Sequence, residues 1–172
     1  MLAENLLLFI ILFPTICSII AYFLGNKNEN IRNTFLIFVT LVNFLIVIYL
    51  FKFIKTDTIE ISVPYIMGSG LHLKLNSFRY IFIFITSFVW FIITVYSSQY
   101  LINYIHRNRY YLFFMITYVS TMGIFISENL LNLFTFFEIM SFASYPLIIH
   151  DEDESAHSAG KTYIVMATAG GL

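Results

Sequence analysis

The chain has 172 residues, of which 59% are hydrophobic and only 11% charged, and it carries 20 Phe and 12 Tyr. A soluble domain of this length cannot hide so much apolar surface, so the composition implies a membrane protein. A net charge of −1 offers no basic field for nucleic acid, and the single cysteine, Cys17, excludes an internal disulfide and leaves no Cys/His cluster for zinc or iron–sulfur.

A bilayer core takes about 20 apolar residues of helix. Five runs fit that measure: Asn5–Leu24, Thr34–Ile54, Tyr80–Ile105, Tyr110–Ile126 and Leu130–Ile149. The first follows Glu4 rather than a basic stretch and continues without a small-residue cleavage site. It reads as a retained membrane helix, not a signal peptide, and Cys17 inside it as a small packed residue. "GNKNENIRN" (25–33) is a polar turn between the first two helices, which together occupy residues 1–58.

Residues 59–76, "IEISVPYIMGSGLHLKLN", have a different period. Ile59, Ile61 and Val63 alternate with Glu60 and Ser62. After Gly68-Ser69-Gly70, Leu71, Leu73 and Leu75 alternate with His72 and Lys74. Period two around a Gly-rich turn predicts a β-hairpin, too polar to span lipid and therefore lying on one membrane surface. Residues 77–149 hold the third to fifth helices. "NYIHRNR" sets Arg107 and Arg109 ahead of the fourth, and Ser127-Glu128-Asn129 is so short a turn that the fourth and fifth should be antiparallel neighbours.

"HDEDESAHSAG" (150–160) reads as an acidic loop. His150 and His157 flank its acids, but their spacing from Asp151 and Asp153 is loose for metal ligands, and a solvated loop is preferred. From Lys161 to Leu172 the sequence is apolar again. These residues would reach about 18 Å as a helix against a hydrocarbon core of about 30 Å. The expectation is the start of a sixth helix, truncated inside the membrane, in a chain that is not self-sufficient. Basic residues do not orient the chain. Lys27, Arg32, Arg107, Arg109 and Lys161 fall on one side, and Lys52, Lys55, Lys74 and Arg79 on the other.

The fifth run, "LLNLFTFFEIMSFASYPLII", raises the functional question. Glu138 is its one charge and lies near its middle. A charge at the bilayer centre costs about 2.5–3.5 kcal/mol on insertion scales. The group either takes up a proton or stays ionised beside a cation or water, and a group that uses both states is a proton-transfer site. Thr135, Glu138, Ser141 and Tyr145 share one helix face. Pro146 cannot donate to Phe142, so a carbonyl is freed near the acid. Thr86, Trp90, Thr94 and Ser97 on the third helix, and Thr117 and Thr121 on the fourth, form further hydroxyl-bearing stripes. These read first as contacts between helices. Lys161, at a helix start, reads on its own as an interfacial anchor.

A hairpin after the second helix, then "VYSSQYL", "NLLNLFTFFEIMSFASYPLI" and "AGKTYIVMATAGG", resembles the antiporter-like proton-translocating subunit family of respiratory complex I, membrane-bound hydrogenases and Mrp-type sodium/proton antiporters. The resemblance covers nearly the whole chain and is most specific over 127–172. Asn76 departs from it, since an aspartate is more usual there. The resemblance implies an all-α membrane helix bundle with one surface β-hairpin, the N-terminal part of a fold of about fourteen helices built from inverted repeats. It implies that Glu138 pairs with a lysine on a seventh helix beyond this chain, and that Lys161 modulates the same acid. It places the N-terminus and hairpin on the outside of an inner or cell membrane. It implies other membrane subunits as partners, H⁺ as the transported ion with H⁺ versus Na⁺ left open, and no cofactor in this chain, iron–sulfur clusters or flavin being a matter for partner subunits.

Two other readings compete. One is a non-conducting structural piece of the same kind of complex. The other is a membrane enzyme such as a lipid-linked transferase, for which "HDEDE" is the only acidic motif and has no second motif to match it.

Overall fold

The computed structural model describes residues 2–55, 57–64, 70–104 and 106–171. Five of its helices are long and apolar enough to cross a membrane: α1 (Leu2–Gly25), α2 (Glu29–Ile54), α3 (Ser77–Tyr100), α4 (Arg107–Ile126) and α5 (Leu130–Ile148). A further helix, α6, covers Glu154–Gly171. Between α2 and α3 lie β1 (Ile59–Val63) and β2 (Leu71–Leu75), paired antiparallel with Ile59 opposite Leu75 and Val63 opposite Leu71. The alternation predicts this pairing, and it buries Ile59, Leu73 and Leu75. Residues Gly68 and Ser69 of the expected turn lie outside the described residues.

Helix starts fall earlier than hydropathy alone suggests, because polar side chains cap them. Asn28 Oδ1 accepts from the Asn30 and Ile31 amides at 2.9 and 3.3 Å, so α2 begins at Glu29 rather than Thr34. Asn76 Oδ1 accepts from Arg79 N at 2.9 Å and opens α3; Asn129 Oδ1 accepts from Asn132 N at 2.8 Å and opens α5. Asparagine and aspartate cap equally well, which accounts for Asn76 at a position where the resemblance expects an acid. The third helix ends at Tyr100 in a 3₁₀ turn, Leu101–Asn103, and Ile105, its expected last residue, lies outside the described residues.

The largest departure is at the acidic segment. Only residues 150–153 precede α6, not a loop running to Gly160. Asp153 Oδ1 accepts from Ala156 N at 2.5 Å, and Glu154 lies in the first turn, where the helix dipole favours acids. The acids of the expected loop therefore start the helix. The sixth helix has 18 residues, about 27 Å, rather than a stub beginning at Lys161.

Packing places α4 at the centre. It lies against α1, α3 and α5, while α2 bridges α1 and α3, and α6 packs on α5. Over half of α4's most apolar stretch is buried, against a third or less for the other spans. Their remaining apolar surface suits lipid, which needs no polar cover. One buried crosslink joins three helices. Pro14 lacks an N–H and so leaves the Ile10 carbonyl unbonded inside α1. Asn43 of α2 donates to that carbonyl at 3.2 Å and to Tyr118 Oη of α4 at 2.8 Å, with both residues fully buried.

Candidate functional site

The two ends of the bundle differ. At the hairpin end, the start of α1 meets β1, and β2 meets the α4–α5 turn through a bridge between Leu73 and Ser127. At the opposite end, polar side chains tie the turns together. Arg32, fully buried, donates to Asn33 Oδ1 at 2.9 and 3.1 Å and to Asn108 Oδ1, and its guanidinium lies 4.7 Å from the Tyr111 ring centroid. Arg107 pairs with Glu29, and Arg109 Nη2 sits 2.5 Å from Glu152 Oε1. That bond holds the Glu152 carboxyl below the usual carboxylate range.

His150, just past α5, stacks on Tyr104 with ring centroids 5.8 Å apart and meets the tilted ring of Tyr110 at 5.2 Å. Neither ring nitrogen has a hydrogen-bond partner among the described residues. Burial, followed by the Arg109 charge, pulls its pKa below the ordinary histidine value. His157 and Asp153, weighed above as weak ligands, do not gather. Among the described residues no three His, Cys, Asp or Glu side chains lie close enough to hold a metal ion.

Glu138 is half-buried on α5 and faces α6. Its Oε1 lies 2.5 Å from where a side chain on Gly171 would begin, so the carboxylate occupies space that only a glycine leaves open. Phe134 closes the same spot at 3.4 Å, and an apolar cleft of about 660 Å³ lined by Leu130, Phe134, Phe137, Gly170 and Gly171 opens beside it. Within α5, Thr135 donates to its own Leu131 carbonyl at 2.8 Å. Ser141 is buried; Tyr145 and Pro146 are half-buried, with Tyr145 against Gly160 of α6. The face read from the spacing is thus one packed largely on α6.

Lys161 follows Gly160 and is exposed. Gly160 packs at the level of Tyr145, whereas Glu138 meets Gly171. Tyr145 and Glu138 are about 10 Å apart along α5 by helical rise. Lys161 and Glu138 are on neighbouring helices but form no ion pair, which needs a separation of about 4 Å or less. The stripes on α3 and α4 bond within their own helices: Thr94 to Trp90 O, Ser97 to Thr94 O, Thr117 to Phe113 O and Thr121 to Thr117 O. Of the stripe residues, Trp90 reaches a neighbouring helix, its Nε1 donating to the Phe114 carbonyl of α4 at 3.3 Å.

Several features at these sites are hidden in the sequence. Arg32 reads as one more basic residue of a polar turn, yet it is fully buried. Asn43 sits in an apolar run with no local sign of a partner. The one available signal was Pro14, whose position predicts a free carbonyl at Ile10 that some donor must meet.

No protein-family model matches the chain. In sequence it is similar to the "Putative antiporter subunit mnhD2" of Staphylococcus aureus, 29% identical over 178 residues that cover 99% of this chain and 34% of that protein. The Staphylococcus epidermidis protein of the same name is 26% identical, over 97% of this chain and 34% of its own length. The chain thus spans about a third of the length of the relatives it matches. In structure it superposes on a chain of the membrane-bound sulfane sulfur reductase, an archaeal respiratory membrane complex, with a TM-score of 0.79. That superposition covers 96% of this chain and 34% of the other, at 21% identity, and shows a shared fold. The resemblance to antiporter-like subunits is borne out: the chain is a multi-pass membrane protein, similar in sequence to antiporter subunits and sharing its fold with a chain of a respiratory membrane complex.

Proposed function

We propose that this chain forms part of a proton-translocating subunit of a multisubunit membrane complex, redox-driven or antiporter-like, with Glu138 as its proton-binding group. The observation that carries the reading is the placement of that carboxylate. It is the single charge of α5, near the middle of the helix, and it is turned onto a glycine of α6. In such a site proton affinity is set by nearby cations and by wetting. A cation brought closer favours the carboxylate and releases a proton; its withdrawal favours uptake. Na⁺ is the alternative ion for the same group. The chain's own residues contribute the acid and the packed scaffold of α1–α4; the resemblance gives the pairing cation as a lysine on a seventh helix beyond these residues, and a redox-driven or ion-driven partner supplies the shift. By analogy with the resembled family, the hairpin end faces outside.

In the complete assembly, Glu138→Gln should abolish ion translocation while leaving the complex intact. Translocation at the normal rate in that variant would remove the assignment. Among the described residues no cation lies within ion-pair range of Glu138, which favours a second, narrower reading for the isolated chain: a non-conducting structural piece. Reconstituted alone into vesicles it should not conduct, and proton flux above that of protein-free vesicles would rule this reading out.

A further inference from the structure

We propose that the β-hairpin is a positioning device for Glu138, in which β2, through Asn132 and Arg79, fixes how deep α5 sits in the bundle. The inference rests on the reading of Glu138 as the proton site.

Asn132 is fully buried in the first turn of α5. A buried amide is costly unless bonded, and its Nδ2 donates to the His72 carbonyl of β2 at 3.2 Å. The Glu128 amide donates to the same carbonyl at 3.0 Å. Leu73, the next residue of β2, forms an antiparallel bridge with Ser127. Arg79 Nη1 then spans from the Lys74 carbonyl, at 3.2 Å, to the Ser127 carbonyl, at 2.6 Å. Lys74 Nζ lies 2.5 Å from Glu60 and 3.6 Å from Glu128. The contacts made by Asn132, by the Glu128 amide and carboxylate, and by Ser127 meet the α4–α5 turn or the first turn of α5, whereas the Lys74–Glu60 pair and the Arg79 bond to the Lys74 carbonyl brace the hairpin itself. The hairpin is also anchored from below, since Leu73 and Leu75 are fully buried.

Glu138 is six residues beyond Asn132, about 9 Å further into the bundle. A rigid helix transmits a shift of its anchored end to that depth, and the cost of a buried charge depends steeply on depth and wetting. The groups facing the carboxylate are Gly171 of α6 and Phe134 of its own helix, with Tyr145 the titratable residue further along its face. No charged side chain among the described residues comes within ion-pair range of it. With no neighbouring charge holding its affinity, placement is the variable left to the chain itself.

The test uses the assembled complex in vesicles and a hydrophobic carbodiimide, which modifies protonated carboxyls in lipid. Labelling of Glu138, located by peptide mass spectrometry, is followed against pH. Asn132→Leu keeps the branched heavy-atom shape of the side chain and removes the donor. The loosened helix should admit water and favour the carboxylate, moving the labelling midpoint to lower pH by about half a unit, roughly a threefold loss of proton affinity. A disulfide between Leu73→Cys and Ser127→Cys, whose antiparallel pairing suits the roughly 4.4–6.8 Å that a disulfide spans, should restore the midpoint in the Asn132→Leu background and lose that effect on reduction. Arg79→Gln should shift the midpoint in the same direction and serves if Asn132→Leu fails to assemble. A wild-type midpoint in the assembled variants would overturn the positioning role and leave the proton site standing. If Glu138 is not labelled even in the unmodified complex, both fall.

Discussion

At the residue scale, the chain spends its few buried polar groups in two ways. Asn43 answers a defect: Pro14 frees the Ile10 carbonyl, and the amide meets it while also holding Tyr118. Asn43→Val and Tyr118→Phe should each lower stability in detergent. Their double-mutant cycle should return a coupling of about 0.6–2 kcal/mol, the range for hydrogen bonds between membrane helices; a coupling near zero would mean that the bond is not formed. His150 behaves differently. Its pKa is lowered, chiefly by burial, so the unfolded chain binds a proton there before the folded one does. Stability should therefore fall as pH drops through the ordinary histidine value, about 6.5, and level off below the folded value. Glu152 has a lowered pKa from its bond to Arg109 and adds a second loss below the ordinary carboxylate value, about 4.3. His150→Phe keeps the ring contacts with Tyr104 and Tyr110 and should flatten the thermal-stability profile between about pH 5.5 and 7. An unchanged slope would place the effect elsewhere. Glu138 was legible at this scale because a lone acid in an apolar run stands out. Arg32 and Asn43 were not, since what makes them special is a partner on another helix.

At the scale of elements, α4 and α5 show how much was readable. Ser127-Glu128-Asn129 is too short for anything but an antiparallel turn, and the two helices do pack side by side. What the sequence did not reveal is how closely. Gly123 of α4 lies against the ring of Phe136, and a Cβ there would overlap the ring. Gly123→Ala should cost about 1–3 kcal/mol by overpacking, read as a lower melting temperature of the purified chain, with Phe136→Leu in the same background recovering part of the loss. Stability equal to the parent would show that the ring has room to move. Helix starts were misjudged by several residues for a physical reason. Hydropathy marks where apolar residues begin, whereas helices begin at their caps, here Asn28, Asn76 and Asp153; α5, capped by Asn129, begins at Leu130 as expected. The same error turned the first half of α6 into a loop. Its polar N-terminal residues hide a helix that Asp153 and Glu154 initiate.

At the scale of the whole molecule, the five spans, the hairpin and the antiporter-like fold were all legible, because membrane composition and period-two alternation are strong local signals. The relation of Lys161 to Glu138 was not. It depends on how α6 lies along α5, and the packing sets Gly160, the lysine's neighbour, against Tyr145 and the acid against Gly171. The fold puts the start of α1 and the hairpin at one end and the α1–α2 and α5–α6 turns at the other. In cells, a cysteine at Ser62 should react with a membrane-impermeant maleimide while one at Asn26 does not. The opposite pattern would invert the proposed orientation. The central claim, that Glu138 exchanges a proton within the bundle, is tested most directly by infrared difference titration of the assembled complex. A protonated-carboxyl band should grow as the pH is lowered across the range in which the complex stays assembled and be missing in Glu138→Gln. Spectra of the two proteins that coincide throughout that range would contradict it.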